Sequence, residues 1–255
     1  MKNIKLGIEY DGAAYQGWQS QKSGRTIQDI IRECIFSITG ERSGLTGASR
    51  TDAGVHALDQ VAVFRTGSKL PVDIIMRALN AKLPPDIRIS GAEETDDDFN
   101  PRYMALGKSY FYTIAMGRNQ PVFFKRYLWE IRAALNLDKM KEAAASIVGR
   151  HDFSAFRGSG CGAKTTVRNI YSLDIAGDNN IRFMAAAFRG DFIKIRIEGD
   201  AFLRHMVRNI VGTLVEIGKG KLPPGAMTRI LESRDRRLAG PTAPANGLFL
   251  EKISY

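Results

Sequence analysis

The stretch KLGIEYDG, residues 5–12, alternates in character. Leu6, Ile8 and Tyr10 fall on one side and Lys5, Gly7 and Glu9 on the other, the period of a half-buried strand. Asp11-Gly12 ends it with a turn signal. From Thr26 the period changes: Ile27, Ile30, Ile31, Cys34, Ile35 and Ile38 recur at three and four residues. That spacing predicts an amphipathic helix with Thr26 as N-cap and Gly40 as its stop. A strand feeding a helix opens an α/β unit, and the rest of the chain is read outward from that start.

Val61 and Val63 continue as a strand, and a second helix over 72–83 is stopped by Pro84-Pro85. Ile87 and Ile89 make a short third strand. The acidic run EETDDD, 93–98, followed by Asn100-Pro101 breaks the pattern. It marks a boundary between an N-terminal part, 1–104, and a C-terminal part, 105–255, unless it is only a solvated loop within one domain. Beyond it, KSYFYTIAM (108–116) is β-prone, and a helix from about Asp138 places Met140, Ala144, Ile147 and Val148 on one face with Gly149 as C-cap. Strands over 170–175, 181–188 and 192–198 are separated by the turn residues Gly177-Asp178 and Gly190-Asp191. A long helix over 202–217, a shorter one over 227–233 and a last strand over 248–253 complete the chain. Each half mixes antiparallel-compatible strands with about two helices, which predicts an α+β fold with helices on one face of each sheet.

Within 255 residues, 44% hydrophobic content suffices for a buried core. No stretch approaches the roughly 20 apolar residues of a membrane span, and the N-terminus reaches Glu9 and Asp11 too soon for a signal peptide. A cytoplasmic protein without membrane attachment is expected. Cys34 and Cys161 stand alone, with no CxxC pair or matching His spacing, which argues against a structural zinc or a disulfide framework. Lys plus Arg number 37 against 27 Asp plus Glu, for a net charge of +10. The balance fits either a polyanionic partner or a merely basic surface. Arginine dominates near the distinctive segments (Arg25, Arg50, Arg157, Arg168, Arg189, Arg204, Arg208), and its planar fork suits phosphate.

Four constellations can carry chemistry. In SRTDAGVHA, Asp52 follows Arg50 and Thr51 and precedes the flexible Ala53-Gly54. A carboxylate there serves as nucleophile or general base, or else as the side chain of an Asx turn. His56 is either a proton shuttle or a hydrogen-bonded structural residue. Tyr110 and Tyr112 share a side of their strand, where a ring either meets a nucleobase or enters the core. Arg204 and Arg208, four apart on the expected helix, form a phosphate clamp or a solvated stripe. Finally EYDGAAYQGWQSQ, 9–21, is rich in planar hydrogen-bonding groups. No Walker loop, HExxH or dinucleotide fingerprint occurs, so a nucleotide cofactor and a catalytic zinc lose ground.

Taken in order, EYDG..Y.GWQ.Q, SRTDAGVHA, HDFSAFR and AFLRHMVRNIVG, spread from Glu9 to Gly212, resemble the tRNA pseudouridine synthase A family. The resemblance implies two α/β subdomains with mainly antiparallel sheets facing each other across a basic cleft, and a homodimer. It also implies isomerisation of uridine to pseudouridine at positions 38 to 40 of the tRNA anticodon stem-loop, with no metal and no cofactor. Residue by residue it makes Asp52 the catalytic carboxylate and assigns substrate contacts to Arg50, Tyr110, Arg208 and Leu248. Two departures are visible: Ser49 stands where the family usually has Gly, and Lys108-Ser109 replaces a doubly basic pair. Two rival classes use the same residues: a non-catalytic RNA-binding protein or tRNA chaperone, and a phosphoryl hydrolase built on Asp52 and His56. The second ordinarily needs a gathering of metal-binding carboxylates or histidines that this chain, with three His, lacks.

Overall fold

The computed structural model describes residues 1–22, 24–117, 122–183 and 185–255. Its contacts divide the chain into two compact units, Met1–Leu106 with Phe249–Tyr255, and Gly107–Leu248. The sequence reading divides the chain once, at 104/105; in the structure Phe249–Tyr255 return to the first unit because the last strand pairs there.

In the first unit, β1 (Lys2–Tyr10), α1 (Ile27–Thr39), β2 (Leu45–Gly47), β3 (His56–Thr66), α2 (Val72–Lys82) and β4 (Ile87–Thr95) follow one another. β3 is central: β1 and β2 pair with it antiparallel, and β4 pairs antiparallel with β1. The terminal strand, Leu248–Ser254, runs parallel to β3 through Phe249 opposite His56 and Leu250 opposite Ala57. The alternation of β1 holds, with Ile4, Leu6, Ile8 and Tyr10 buried. Ile27, Ile31 and Ile35 of α1 and Ile75 and Leu79 of α2 are buried as well, while Ile30, Cys34 and Ile38 reach only half burial. Both ends of α1 are as expected: the Thr26 hydroxyl accepts the Asp29 N–H at 3.3 Å, and Gly40 closes the helix at φ 74°. The strand expected at Ile87 and Ile89 runs on into the acidic segment. Glu93 lies opposite Lys5 in the β1–β4 register and its carboxylate reaches the Lys5 ammonium at 2.8 Å, while Glu94 reaches Lys2 at 3.1 Å. Cross-strand pairing of charge is what makes two glutamates compatible with an edge strand.

The second unit contains β5 (Gly107–Met116), β6 (Trp129–Ile131), α3 (Leu137–Ala145), β7 (Gly149–Asp152), β8 (Val167–Phe183), β9 (Ala186–Gly199), α4 (Met206–Gly218) and α5 (Ala226–Ser233). β10 (Leu248–Ser254) begins at its last residue. The strand order is β5-β9-β8-β7, all antiparallel, with β6 added parallel to β5. The three helices pack on one another, and α3 lies against β8. Three expectations are corrected. The strands expected over 170–175, 181–188 and 192–198 are two long strands, because Gly190 and Asp191 sit opposite the single residue Asn179 and make a bulge, not a turn. Met184, within the strand expected over 181–188, lies outside the described residues. The helix expected from residue 202 begins at Met206, since His205 at φ 60° breaks the first turn. α3 is N-capped by Asn136 and C-capped by Ser146, so Gly149, at φ 104°, opens β7 and does not cap the helix.

Candidate active site

Asp52 stands on a β-turn over 52–55, closed by the Val55 N–H donating to the Asp52 carbonyl at 3.2 Å. Gly54 takes the third position at φ 78°, which an L side chain occupies only with strain. Asp52 is half-buried and Arg50, two residues before it, is exposed. The turn therefore holds a carboxylate at the protein surface with a guanidinium two residues away on the same loop.

The chain around that turn is held from three directions. Ser49 is gripped by Gln60 of β3, whose side chain accepts from Ser49 N–H at 3.1 Å and donates to the Ser49 carbonyl at 2.8 Å. Thr51 meets the Tyr10 hydroxyl through its own at 2.8 Å, and its carbonyl accepts the Trp18 N–H at 3.1 Å. Beyond Asp52, the Gly54 N–H donates to the Tyr15 carbonyl at 3.2 Å. The segment 9–21 is thus a buttress before it is a ligand surface. Tyr15 and Trp18 are buried, and Gly17, at φ 85°, leaves the space in which a β-carbon would collide with the Thr51 carbonyl. The Tyr15 hydroxyl donates to Asp86, and burial first, then that bond, raises its pKa above the usual tyrosine value. Gln16 and Gln21 remain exposed.

His56 resolves to the structural alternative. Its ring is buried and stacked on Phe249 at 4.6 Å. The Gly12 N–H donates to Nδ1 at 3.1 Å, and Asp11 Oδ1 lies 3.0 Å from the same nitrogen. Ser49 is also clarified: among the described residues only His205 and Arg234 combine a side chain with positive φ. Backbone conformation at Ser49 does not call for glycine.

Of the expected site residues, Asp52 and Arg50 share this loop of the first unit, whereas Tyr110, Arg208 and Leu248 belong to the second. Tyr110, on β5 opposite Ile197, is 6% exposed and meets Phe202 edge-on at 5.2 Å. Arg208, in the first turn of α4, is half-buried. Its Nε–H donates to the Ala243 carbonyl at 2.7 Å, and the Ala243 N–H returns to the Arg208 carbonyl at 3.1 Å. Leu248 is buried at the start of β10. The pairing of Arg204 with Arg208 on one helix face does not form, because Arg204 precedes α4; it donates to the Ser159 carbonyl at 3.1 Å. Ser109, in place of a second basic residue, is buried and accepts from Arg196 at 3.2 Å. Arg25 and Arg50 of the first unit, and Arg157, Arg189 and Arg204 of the second, are each exposed.

Contacts that the sequence pattern does not reveal carry much of the architecture. Gln60, Thr51 and Tyr10 hold the Asp52 loop. In the second unit the HDFSAFR segment docks on buried Asn209, whose Nδ2 donates to the Phe156 carbonyl at 2.7 Å while Oδ1 accepts from Arg236 at 3.0 Å and Thr242 at 2.6 Å. A buried Asn inside an apolar helix pattern was the available signal, since such a group needs partners. Among the described residues no three His, Cys, Asp or Glu side chains are placed to hold a metal ion, and no helix is long and apolar enough to cross a membrane.

A family model described as tRNA pseudouridine synthase matches residues 7–104 and 143–255. The tRNA pseudouridine synthase A of Acetivibrio thermocellus is 46% identical over 255 residues, covering 100% of both chains. Those of Thermoanaerobacter sp. (strain X514) and Thermodesulfovibrio yellowstonii are each 44% identical over the same full lengths. Among solved structures, the archaeal box H/ACA sRNP Nop10-Cbf5 complex aligns at 9% identity with a TM-score of 0.35, over 83% of this chain and 44% of that one.

Proposed function

Because this chain belongs to the tRNA pseudouridine synthase family, we propose that it isomerises uridine to pseudouridine at positions 38 to 40 of the tRNA anticodon stem-loop, with Asp52 as the catalytic carboxylate. The observation that carries the assignment is the Asp52 turn: a half-buried carboxylate on a loop anchored at Ser49, Thr51 and Gly54, as preorganised chemistry requires.

The reaction breaks the C1′–N1 glycosidic bond, turns the uracil and forms a C1′–C5 bond. The proton on C5 leaves and N1 ends protonated, so composition is unchanged and nothing is oxidised or reduced. The carboxylate acts at the sugar-base junction, attacking base or ribose or removing a proton on the way. A stacked uridine must first be flipped out, at a cost of a few kcal/mol. Phosphate contacts and a stacking ring offset that cost; Arg208 and Tyr110 are assigned to those two roles. Arg50 is assigned the space that the departing nucleotide leaves, and Leu248 an apolar contact to the substrate. The protein works as a homodimer in the cytoplasm: an L-shaped tRNA is longer than one such chain, so one protomer holds its body while the other acts on the anticodon arm.

The test is tritium release from tRNA labelled at uridine C5, with no cofactor added and EDTA present, comparing the native protein with Asp52→Asn. Release that vanishes in the variant while tRNA binding persists is the expected result. Absence of release from native protein across several tRNAs, despite tight binding, would favour a non-catalytic RNA-binding protein. A monomeric mass in solution at working concentration would remove the dimer.

A further inference from the structure

We infer that the Tyr10 hydroxyl positions the catalytic carboxylate, acting through Thr51; the inference rests on the assignment of Asp52 above. Two independent features single out Tyr10. The first is the strand that carries it. Ile8 pairs with Gln60 but Tyr10 pairs with Ala57, so the single residue Glu9 faces Leu58 and Asp59. The extra residue belongs to β3, so β3 bends and twists more strongly just where Tyr10 pairs with it, and the register between Tyr10 and the chain that enters β3 is set there. The second is the target of that side chain. The buried ring stacks on Trp18 at 6.2 Å with planes 28° apart, and its hydroxyl lies 2.8 Å from Thr51 Oγ1.

Thr51 is buried and held at two points: its hydroxyl by Tyr10 and its carbonyl by the Trp18 N–H at 3.1 Å. Side-chain rotation and the peptide plane leading into Asp52 are therefore both fixed by the segment 10–18. On the far side, the Val55 N–H fixes the Asp52 carbonyl at 3.2 Å. The carboxylate then has its own side-chain torsions left to set, and its backbone none. Tyr10 touches no reacting atom in this account. It is a positioning residue, and the hydroxyl pair works as a unit because a buried hydroxyl that loses its partner is left unsatisfied.

The experiment measures the single-turnover rate of tritium release and the Kd for tRNA in Tyr10→Phe, Thr51→Val, the double variant and Thr51→Ser, with Asp52→Asn alongside. Thermal midpoints establish the folded fraction. Tyr10→Phe and Thr51→Val are each expected to slow the single-turnover step about tenfold to a hundredfold, the range for misplacing a reacting group by up to about an ångström, with Kd within about twofold. The double variant should lose no more than the worse single one, and Thr51→Ser should recover the rate lost in Thr51→Val. Native rates in both single variants, beside an inactive Asp52→Asn, would overturn the positioning role and leave Asp52 in place. Full turnover by Asp52→Asn would overturn the catalytic assignment and this inference with it. A slowing that disappears once rates are scaled to folded protein, or that Thr51→Ser fails to recover, would mean a structural role only. Should Tyr10→Phe fail to fold, the Thr51→Val and Thr51→Ser pair decides by the same criteria.

Discussion

Gln60 grips Ser49 with both ends of its amide, accepting the Ser49 N–H at 3.1 Å and donating to the Ser49 carbonyl at 2.8 Å. The side chain is 0% exposed. It does for one residue what a strand ladder does for many, and it continues the pairing of Ala48 N–H with the Val61 carbonyl at 2.8 Å. The loop that carries Asp52 thus leaves β3's neighbourhood at a fixed point.

Gln60→Leu conserves approximate volume and removes both hydrogen bonds that the Gln60 amide makes to Ser49. Losing buried hydrogen bonds to a backbone N–H and a carbonyl costs about 1–3 kcal/mol for each group left unsatisfied, so a loss of at least about 1 kcal/mol of stability is expected. A urea unfolding midpoint that drops at unchanged slope checks it. A loss below about 0.5 kcal/mol would mean that Ser49 finds other partners.

Arg208 supports a second prediction, because its Nε–H is already engaged by the Ala243 carbonyl at 2.7 Å. If its guanidinium also meets a phosphate, Arg208→Gln weakens tRNA binding evenly across sequences and lowers the slope of log Kd against log salt by about 1. Binding measured from low to moderate salt reads that slope directly. An unchanged slope with a lower unfolding midpoint would confine Arg208 to bracing residue 243.

What was legible in the sequence, and what was not, follows from the range of each interaction. The alternation of β1 and the caps of α1 are local, and Thr26 and Gly40 sit where the spacing puts them. Gly190-Asp191 misleads because a bulge and a turn draw on the same residues, and only the partner strand tells them apart. The first turn of α4 fails at His205, whose ring packs over Gly158, a contact with no local signature. At the site, Asp52 is legible only through an ordered set of motifs spanning most of the chain; the segment SRTDAGVHA alone leaves an Asx turn open. The contacts by which Tyr10 and Gln60 hold the loop have no local signal, since one reaches 41 residues along the chain and the other 11.

A third prediction concerns pH. Asp152 is held below the ordinary carboxylate range by the Thr166 hydroxyl first, then by the Ser154 N–H at 3.0 Å and by Arg234, whose Nε lies 3.3 Å away. The unfolded chain binds the proton at higher pH than the folded one. Its contribution is therefore complete above the ordinary carboxylate pKa of about 4 and is lost as pH falls below it. Asp152→Asn should show a flatter loss of stability between about pH 5 and pH 3 than the native protein does. Thermal midpoints over that window compare the two, and parallel acid limbs would remove Asp152 from the account.

The last prediction separates two roles for one ring. Tyr110 is 6% exposed and packs edge-on against Phe202 at 5.2 Å, so the phenylalanine variant keeps the shape and loses only the hydroxyl. Tyr110→Phe is expected to retain tRNA affinity within about twofold, because base stacking needs a π face and not an oxygen. Tyr110→Ala should forfeit the stacking, about 1–3 kcal/mol, or roughly tenfold to a hundredfold in Kd. The single-turnover rate of Tyr110→Phe then decides the chemistry. A rate equal to native excludes the hydroxyl as acceptor of the C5 proton and leaves Tyr110 a stacking surface. A fall of about 10²–10⁴ with affinity intact is the size expected when a general base is removed, and would place the proton on Tyr110. Loss of affinity in both variants would argue instead that burial of this ring shapes β5 itself.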